Sequence, residues 1–353
     1  MAKMKMNKLL FMIAIILFGT GTYTYTQADN IDFSLEDFLE TNENEVTPYI
    51  LENGGMSFAF CPSEYCEELL YTQLASATES IHCAFFELDL ESLQDIIDEK
   101  AEQIDVKIVT DNGYLYEFNR SFVKTDTWGL MHNKFCIIDD QIVTTGSMNP
   151  TLNGAYKNNN NLIVIDSAAL SENYEAEFQE MWNGTFKKGD KVKNERFKLV
   201  GNDENITIEN YFCPDDKCAN KIIDIIAKAN KSIDFMTFSF THERIANKML
   251  QRKLEGVKIR GVYEARQVTK YSTFKLLDYQ EAEVYRDANK QNMHHKVFII
   301  DEKIVITGSM NPSAGGDTRN DENVLIIYSE DIGKLYMEEF EKMFDAAKAK
   351  ANS

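Results

Sequence analysis

The sequence predicts an α/β protein built from two similar lobes, and three observations carry that prediction. The chain has 353 residues and 44% hydrophobic content, enough to bury a sizeable core in more than one lobe. Apolar runs alternate between strand-like and helix-like spacing, the pattern of layered α/β folds. A signature also occurs twice: His132-x-Lys134, Asp139, Gly146-Ser147-x-Asn149, and again His294-x-Lys296, Asp301, Gly308-Ser309-x-Asn311, every member displaced by 162 residues.

The repeat extends beyond the signatures. Cys61-Pro62 through Cys66 parallels Cys213-Pro214 through Cys218 at an offset of 152, and Phe178 and Met181 parallel Phe340 and Met343 at 162. The second copy therefore holds about ten extra residues, placed between Ala265 and Tyr285. They form either a substrate-shaping loop or a solvated excursion. The expected divisions are a signal peptide over 1–28, an acidic segment over 29–54, a first lobe over 55–186, a linker over 187–205 and a second lobe over 206–353.

The leader reads Lys3, Lys5 and Lys8, then an apolar run from Leu9 to Phe18, then Thr26-Gln27-Ala28, which fits a cleavable secretory signal. Ten apolar residues are too few to span a bilayer comfortably. The expectation is a secreted or envelope protein, with an uncleaved membrane anchor as the alternative. Asp29 to Asn53 is acidic, has no counterpart in the second half and falls outside the repeat.

Each half then opens with Cys-Pro and a helix, over Leu69 to Ala77 and Ile222 to Ala229, with Pro62 and Pro214 suited to the first helical turn. Strands follow at Ile81 to Phe86 and Ile233 to Phe240, helices at Leu93 to Gln103 and Ile245 to Leu254, and strands at Val106 to Thr110 and Val257 to Val262. The signature strands, Lys134 to Asp139 and Lys296 to Asp301, are apolar on both faces, as in the middle of a sheet. The charged stretch from Lys187, with Gly189 and Gly201, reads as a connection leading to a strand at Ile206 to Phe212.

Six cysteines in an exported chain point to oxidation. Cys61 with Cys66 and Cys213 with Cys218 are candidate disulfides, each closing a small loop in its own half. Cys83 and Cys136 lie in apolar strands and read as buried free thiols. His82 reads as a packed core residue, His242 as part of a helix cap, and His295 as pointing away from His294.

Residues i and i+2 of a strand share a face, so each signature delivers one imidazole and one ammonium together. Two histidines and two lysines suit a phosphodiester: one imidazole attacks phosphorus, the other protonates the leaving oxygen, and the lysines neutralise the added charge. Asn149 and Asn311 follow Gly-Ser turns, and their amides are expected to donate to the same oxygens. Ser147 and Ser309 either donate too or only shape the turn. Asp139, Asp301, Gly146 and Gly308 are assigned structural roles.

These signatures resemble those of the phospholipase D superfamily, the HKD family, as a member with both motifs in one chain. The resemblance implies two α/β lobes related by a pseudo-twofold axis, with the active site at their interface and no metal or cofactor. It also implies a carboxylate downstream of the signature that holds the far nitrogen of the nucleophilic histidine. Glu322, 28 residues past His294, fits that place, whereas its first-half equivalent is Asn160. The carboxylate favours His294 as nucleophile and His132 as general acid, while the family pattern often assigns attack to the first-half histidine.

The implied activity is hydrolysis of a phospholipid to phosphatidate and a free alcohol through a phosphohistidine, by a monomer that meets a membrane surface. The alternative is a metal-independent endonuclease on DNA or RNA. A net charge of −20, about −23 once the three leader lysines are removed, argues against non-specific binding to polyanions. The stretch Arg244 to Lys303, however, holds 13 Lys/Arg against 8 Asp/Glu around the second signature. A cardiolipin-synthase-type transferase would carry more membrane-spanning sequence. An inactive binding module is opposed by the intact His, Lys and Asn pairs.

Overall fold

A computed structural model of the protein describes residues 50–200 and 205–353. The expected leader, most of the acidic segment and residues 201–204 of the expected linker lie outside the described residues. Among the described residues, no helix is long and apolar enough to cross a membrane.

After β1 (Ile50–Asn53), the first lobe runs β2 (Met56–Cys61), α1 (Glu64–Ser76), β3 (Ser80–Phe85), α2 (Glu91–Ala101), β4 (Asp105–Thr110), β5 (Val123–Thr125), β6 (Lys134–Ile138), β7 (Ile142–Gly146), α3 (Leu152–Tyr156), β8 (Asn160–Asp166) and α4 (Ala168–Trp182). After β9 (Arg196–Val200), the second lobe follows as β10 (Asn205–Cys213), α5 (Cys218–Ile226), β11 (Ser232–Thr237), α6 (Glu243–Leu254), β12 (Lys258–Tyr263), α7 (Phe274–Tyr279), β13 (Glu283–Arg286), β14 (Lys296–Ile300), β15 (Ile304–Gly308), α8 (Ala314–Thr318), β16 (Glu322–Tyr328) and α9 (Glu330–Ala351). One sheet has the order β2-β8-β7-β6-β3-β4-β5. The other repeats that order as β10-β16-β15-β14-β11-β12-β13 and adds β9 and β1 at one edge.

Period-two alternation divides each signature strand between two cores. Phe135 and Ile137, with Val297 and Ile299, face a central layer shared by the lobes, into which α4 sends Tyr174 and Phe178 and α9 sends Tyr336 and Phe340. Cys136 and Ile138 face α1 and α2, and Phe298 and Ile300 face α5 and α6. The lobes are thus welded through helices whose sequences match at an offset of 162. Each signature strand ends in a turn at Asp139 or Asp301, with φ of 53° and 55°. The Asp139 carboxylate accepts from the amides of Thr78, Glu79 and Ser80, and Asp301 accepts from Asn230, Lys231 and Ser232. Bonds of this charge-assisted kind contribute on the order of 1.5–3 kcal/mol, and here they clamp the strand whose other end carries the histidine.

Several expectations are corrected. The expected linker supplies β9, and the end of the acidic segment supplies β1, which pairs with it in parallel. Phe197 and Leu199 alternate inward between charged neighbours, and that short period was hidden by the lysines around it. Lys187, at the start of that linker, is buried between Asp126 of the first lobe at 2.7 Å and Asp321 of the second at 3.3 Å. Pro62 precedes the Ser63 cap, and Pro214 precedes a turn that ends at Lys217, so neither lies in a first helical turn; both follow cis bonds. Cys83 and Cys136 are disulfide-bonded, because they sit directly opposite each other on β3 and β6. Cys61–Cys66 and Cys213–Cys218 are also joined. The extra residues of the second half contain α7. His242 occupies a cap position without a side-chain cap bond and instead lies 3.4 Å from Asp317.

Candidate active site

Both signature histidines lie just ahead of their strands, where one lobe meets the other. His132 donates its backbone N–H to the Asp321 carbonyl at 3.0 Å, and His294 donates to the Asn159 carbonyl at 2.8 Å. Isolated bridges pair Met131 with Asp321 and Asn159 with Met293, an exchange that obeys the pseudo-twofold. Thr145 bonds Asn323 at 2.9 Å and Asn161 bonds Thr307 at 3.0 Å across the same interface. His132, Lys134, His294 and Lys296 are all buried, with the imidazole residues 7% and 8% exposed, so access is confined to the ring edges.

The Gly-Ser turns explain how the acceptors are set. Gly146 and Gly308 have φ of 137° and 129°, and a Cβ there would come within 2.4 and 2.3 Å of the Asn161 and Asn323 carbonyls. Glycine alone tolerates both the backbone and the approach. The following serines bond the acceptors: Ser147 Oγ donates to Asn160 Oδ1 at 3.0 Å and Ser309 Oγ donates to Glu322 Oε2 at 2.7 Å. Of the two expected roles, these bonds support the one that shapes and holds the turn.

The acceptors are exchanged between the lobes. Glu322 Oε2 lies 2.7 Å from His132 Nδ1, and Asn160 Oδ1 lies 2.9 Å from His294 Nδ1. The carboxylate therefore holds His132, not the His294 of its own half, and the reason for favouring His294 as nucleophile now favours His132. Asn160 cannot flip freely, because its Nδ2 donates to the Gly154 carbonyl at 2.9 Å. Glu322 also accepts from Asn320 at 3.0 Å.

Burial, then the ammonium groups of Lys134 and Lys296, hold His132 well below the ordinary imidazole value. The same burial, with Lys296 ahead of Lys134, lowers His294. Neutral rings with Nδ1–H on an acceptor leave Nε2 as a lone pair. Burial lowers Lys134 to about 8 against the pull of Glu322, and burial with help from Lys134 lowers Lys296 well below the ordinary lysine value. Burial raises Glu322 to about 7, with Lys134 the largest opposing influence. A bound anion would favour the charged form of both lysines.

Each lysine donates to the carbonyl of its own histidine, at 2.5 and 2.6 Å. Asn149 is linked to the site through Glu87, whose carboxyl also feels the charge of Lys134. The Asn149 amide donates to Glu87, a use the sequence did not foretell, while the Oδ1 atoms of Asn149 and Asn311 are buried without a partner. His295 points into the central layer near Glu339 and Phe60, as its position on the strand requires. His82 is buried against Phe178, but it also bonds Glu175 at 2.9 Å.

Two aromatic residues were missed. Phe86 meets the His132 ring at 4.9 Å and Phe238 meets His294 at 4.7 Å, both edge-on. Lys134 and Lys296 lie 5.0 and 5.4 Å from the same rings. Their signal was the recurrence of Phe one residue past each strand at the 152 offset. Glu87 had none, because Ser239 stands at its counterpart.

The family described as "Cardiolipin synthase, PLD-like domain" matches residues 70–182 and 222–344. The chain is 35% identical over 129 residues to phospholipase D of Rickettsia conorii, covering 36% of this chain and 64% of that protein. It is 28% identical over 131 residues to the mitochondrial cardiolipin hydrolase of Homo sapiens, covering 37% and 52%. The matches thus span less than two thirds of these curated relatives. The solved phosphatidylserine synthase of Haemophilus influenzae Rd KW20 shares the fold, with a TM-score of 0.63 at 13% identity over 83% of this chain and 86% of that one. Because the two matched segments cover more than half of the chain and contain both signatures, the protein belongs to the phospholipase D superfamily, in the family of cardiolipin synthase PLD-like domains.

Proposed function

We propose that the protein is a phospholipase D-type phosphodiesterase that hydrolyses phospholipids to phosphatidate and a free alcohol. The observation that carries this reading is the pairing of two buried imidazoles, each held at Nδ1 from the opposite lobe, beside two ammonium groups. His132 Nε2 attacks phosphorus, the bond to the headgroup oxygen breaks, and His294 passes its proton to the departing oxygen. Water then gives a proton back to His294 and its oxygen displaces His132 from phosphorus, releasing phosphatidate. Bound phosphate supplies the negative charge that raises His294 enough to hold the proton it donates. Glu322 stabilises the cationic phosphohistidine, as a carboxylate behind a histidine does elsewhere. Lys134 and Lys296 offset the charge of the pentacoordinate state.

The acidic chain and the relatives named for phospholipid substrates support lipid over nucleic acid. The test is turnover of phosphatidylcholine vesicles beside single- and double-stranded DNA, with EDTA present. Phosphatidate release without DNA cleavage is the expected result. Cleavage of DNA with intact lipid would replace this reading with a nuclease, and turnover that requires an added divalent ion would overturn the metal-independent mechanism.

A further inference from the structure

The two lobes present different rims to the site. In the first lobe, one loop after β4 carries Tyr114 and Tyr116, and a second after β5 carries Trp128 and Leu130. Tyr116, Trp128 and Leu130 are 78%, 65% and 40% exposed. The loops are tied together at their bases, since Asn112 N donates to Asp126 at 3.0 Å and Met131 N donates to Asp111 at 3.3 Å. Tyr114 meets Phe86 edge-on at 4.8 Å, and Phe86 is the ring that touches His132, so this rim is continuous with the site. At the 162 offset from Trp128-Gly129-Leu130 the second lobe has Lys290-Gln291-Asn292, a polar and cationic rim.

We infer that the loops bearing Tyr116 and Trp128 form a docking surface for a zwitterionic phospholipid bilayer. Exposed Trp and Tyr favour the boundary between headgroups and acyl chains, with an apolar body on one side and a polar edge on the other. Charge selects the partner. Glu117 follows Tyr116 in the chain and accepts from Leu88 N at 3.2 Å, which brings it beside Glu87 and Asp89 on either side of Leu88, and these carboxylates raise the Tyr116 phenol above the ordinary value. The outermost charge of a zwitterionic headgroup is an ammonium, which those carboxylates attract. The outermost charge of a nucleic acid is phosphate, which they repel. Docking there brings a headgroup to the mouth beside His132.

This surface rests on the reading of a phospholipid substrate, yet its test needs no turnover. The chain has two tryptophans, and Trp182 is stacked on Phe178. In a Trp182→Phe protein, Trp128 fluorescence should shift to the blue on adding phosphatidylcholine vesicles and be quenched by brominated lipid. The difference spectrum between wild type and Trp128→Phe gives the same readout should that variant not fold. Trp128→Ser with Tyr116→Ser should weaken vesicle binding at least tenfold while hydrolysis of dispersed short-chain phosphatidylcholine stays within about twofold. No spectral change with vesicles, or a change with single-stranded oligonucleotide instead, would overturn the surface. Vesicle binding without any hydrolysis would leave the surface standing and remove the enzymatic reading.

Discussion

His132 and His294 occupy equivalent places in the two lobes, yet one rests on the carboxylate of Glu322 and the other on the amide of Asn160. The surrounding scaffold is otherwise shared: matching serines hold both acceptors, matching glycines allow both turns, and matching phenylalanines flank both rings. The difference therefore lies in what each ring can become. A carboxylate stabilises an imidazolium and the cationic phosphorylated ring, whereas an amide only fixes the tautomer. One side chain thus makes the two halves of a duplicated site unequal, and the proposed division into an attacking His132 and a protonating His294 rests on that inequality.

The largest expected effect comes from removing either ring. His132→Ala and His294→Ala should each lower kcat by about 10⁴ or more, since attack and protonation are both required. Rapid quenching at neutral or alkaline pH should trap phosphate on His132 in wild type. Label found on His294 would reverse the division while leaving a two-histidine site.

The carboxylate and the amide separate next. Glu322→Gln should cost on the order of 10³–10⁴ in kcat, by analogy with neutralising the carboxylate behind a catalytic histidine. Asn160→Ala should cost about tenfold, the loss of an orienting hydrogen bond. Equal losses measured on folded variants would show that Glu322 acts only by position.

Glu322 must be ionised to serve His132, so kcat/KM should rise with pH through about 7. Lys134 must keep its proton, so kcat/KM should fall as pH rises through about 8. Glu322→Gln should erase the acid limb and leave the alkaline one. A profile unchanged by that substitution would assign the lower limb to another group. The smallest contrast is between the serines: Ser309→Ala, which loosens the carboxylate, should slow turnover several-fold more than Ser147→Ala, which loosens the amide. Steady-state kinetics of the two variants side by side decides it.

Much of the fold was legible because the repeat reports twice on each element. The strand from Lys134 and the strand from Lys296 corroborate each other, as do α4 and α9 through Phe178 and Phe340. Features without a second copy have no such check. The strand at Arg196–Val200 lies within the expected linker, and Lys187 at the start of that linker closes a buried ion pair between the lobes. Cys83 and Cys136 are 53 residues apart, and only the pairing of β3 with β6 brings them face to face.

By itself, the sequence determined which candidate groups stand together, because a spacing of two commits His132 with Lys134 and His294 with Lys296 to common faces. It also determined that one half owns a carboxylate where the other has an amide. Only the tertiary structure decided which ring that carboxylate serves. Glu322 lies 28 residues from His294 and 190 from His132 along the chain, yet the bridge between Met131 and Asp321 sets it against His132. Chain separation reports the entropy of bringing two groups together; in a folded pseudo-symmetric dimer of lobes, that cost has already been met by the shared core, and contact follows the docking of the sheets.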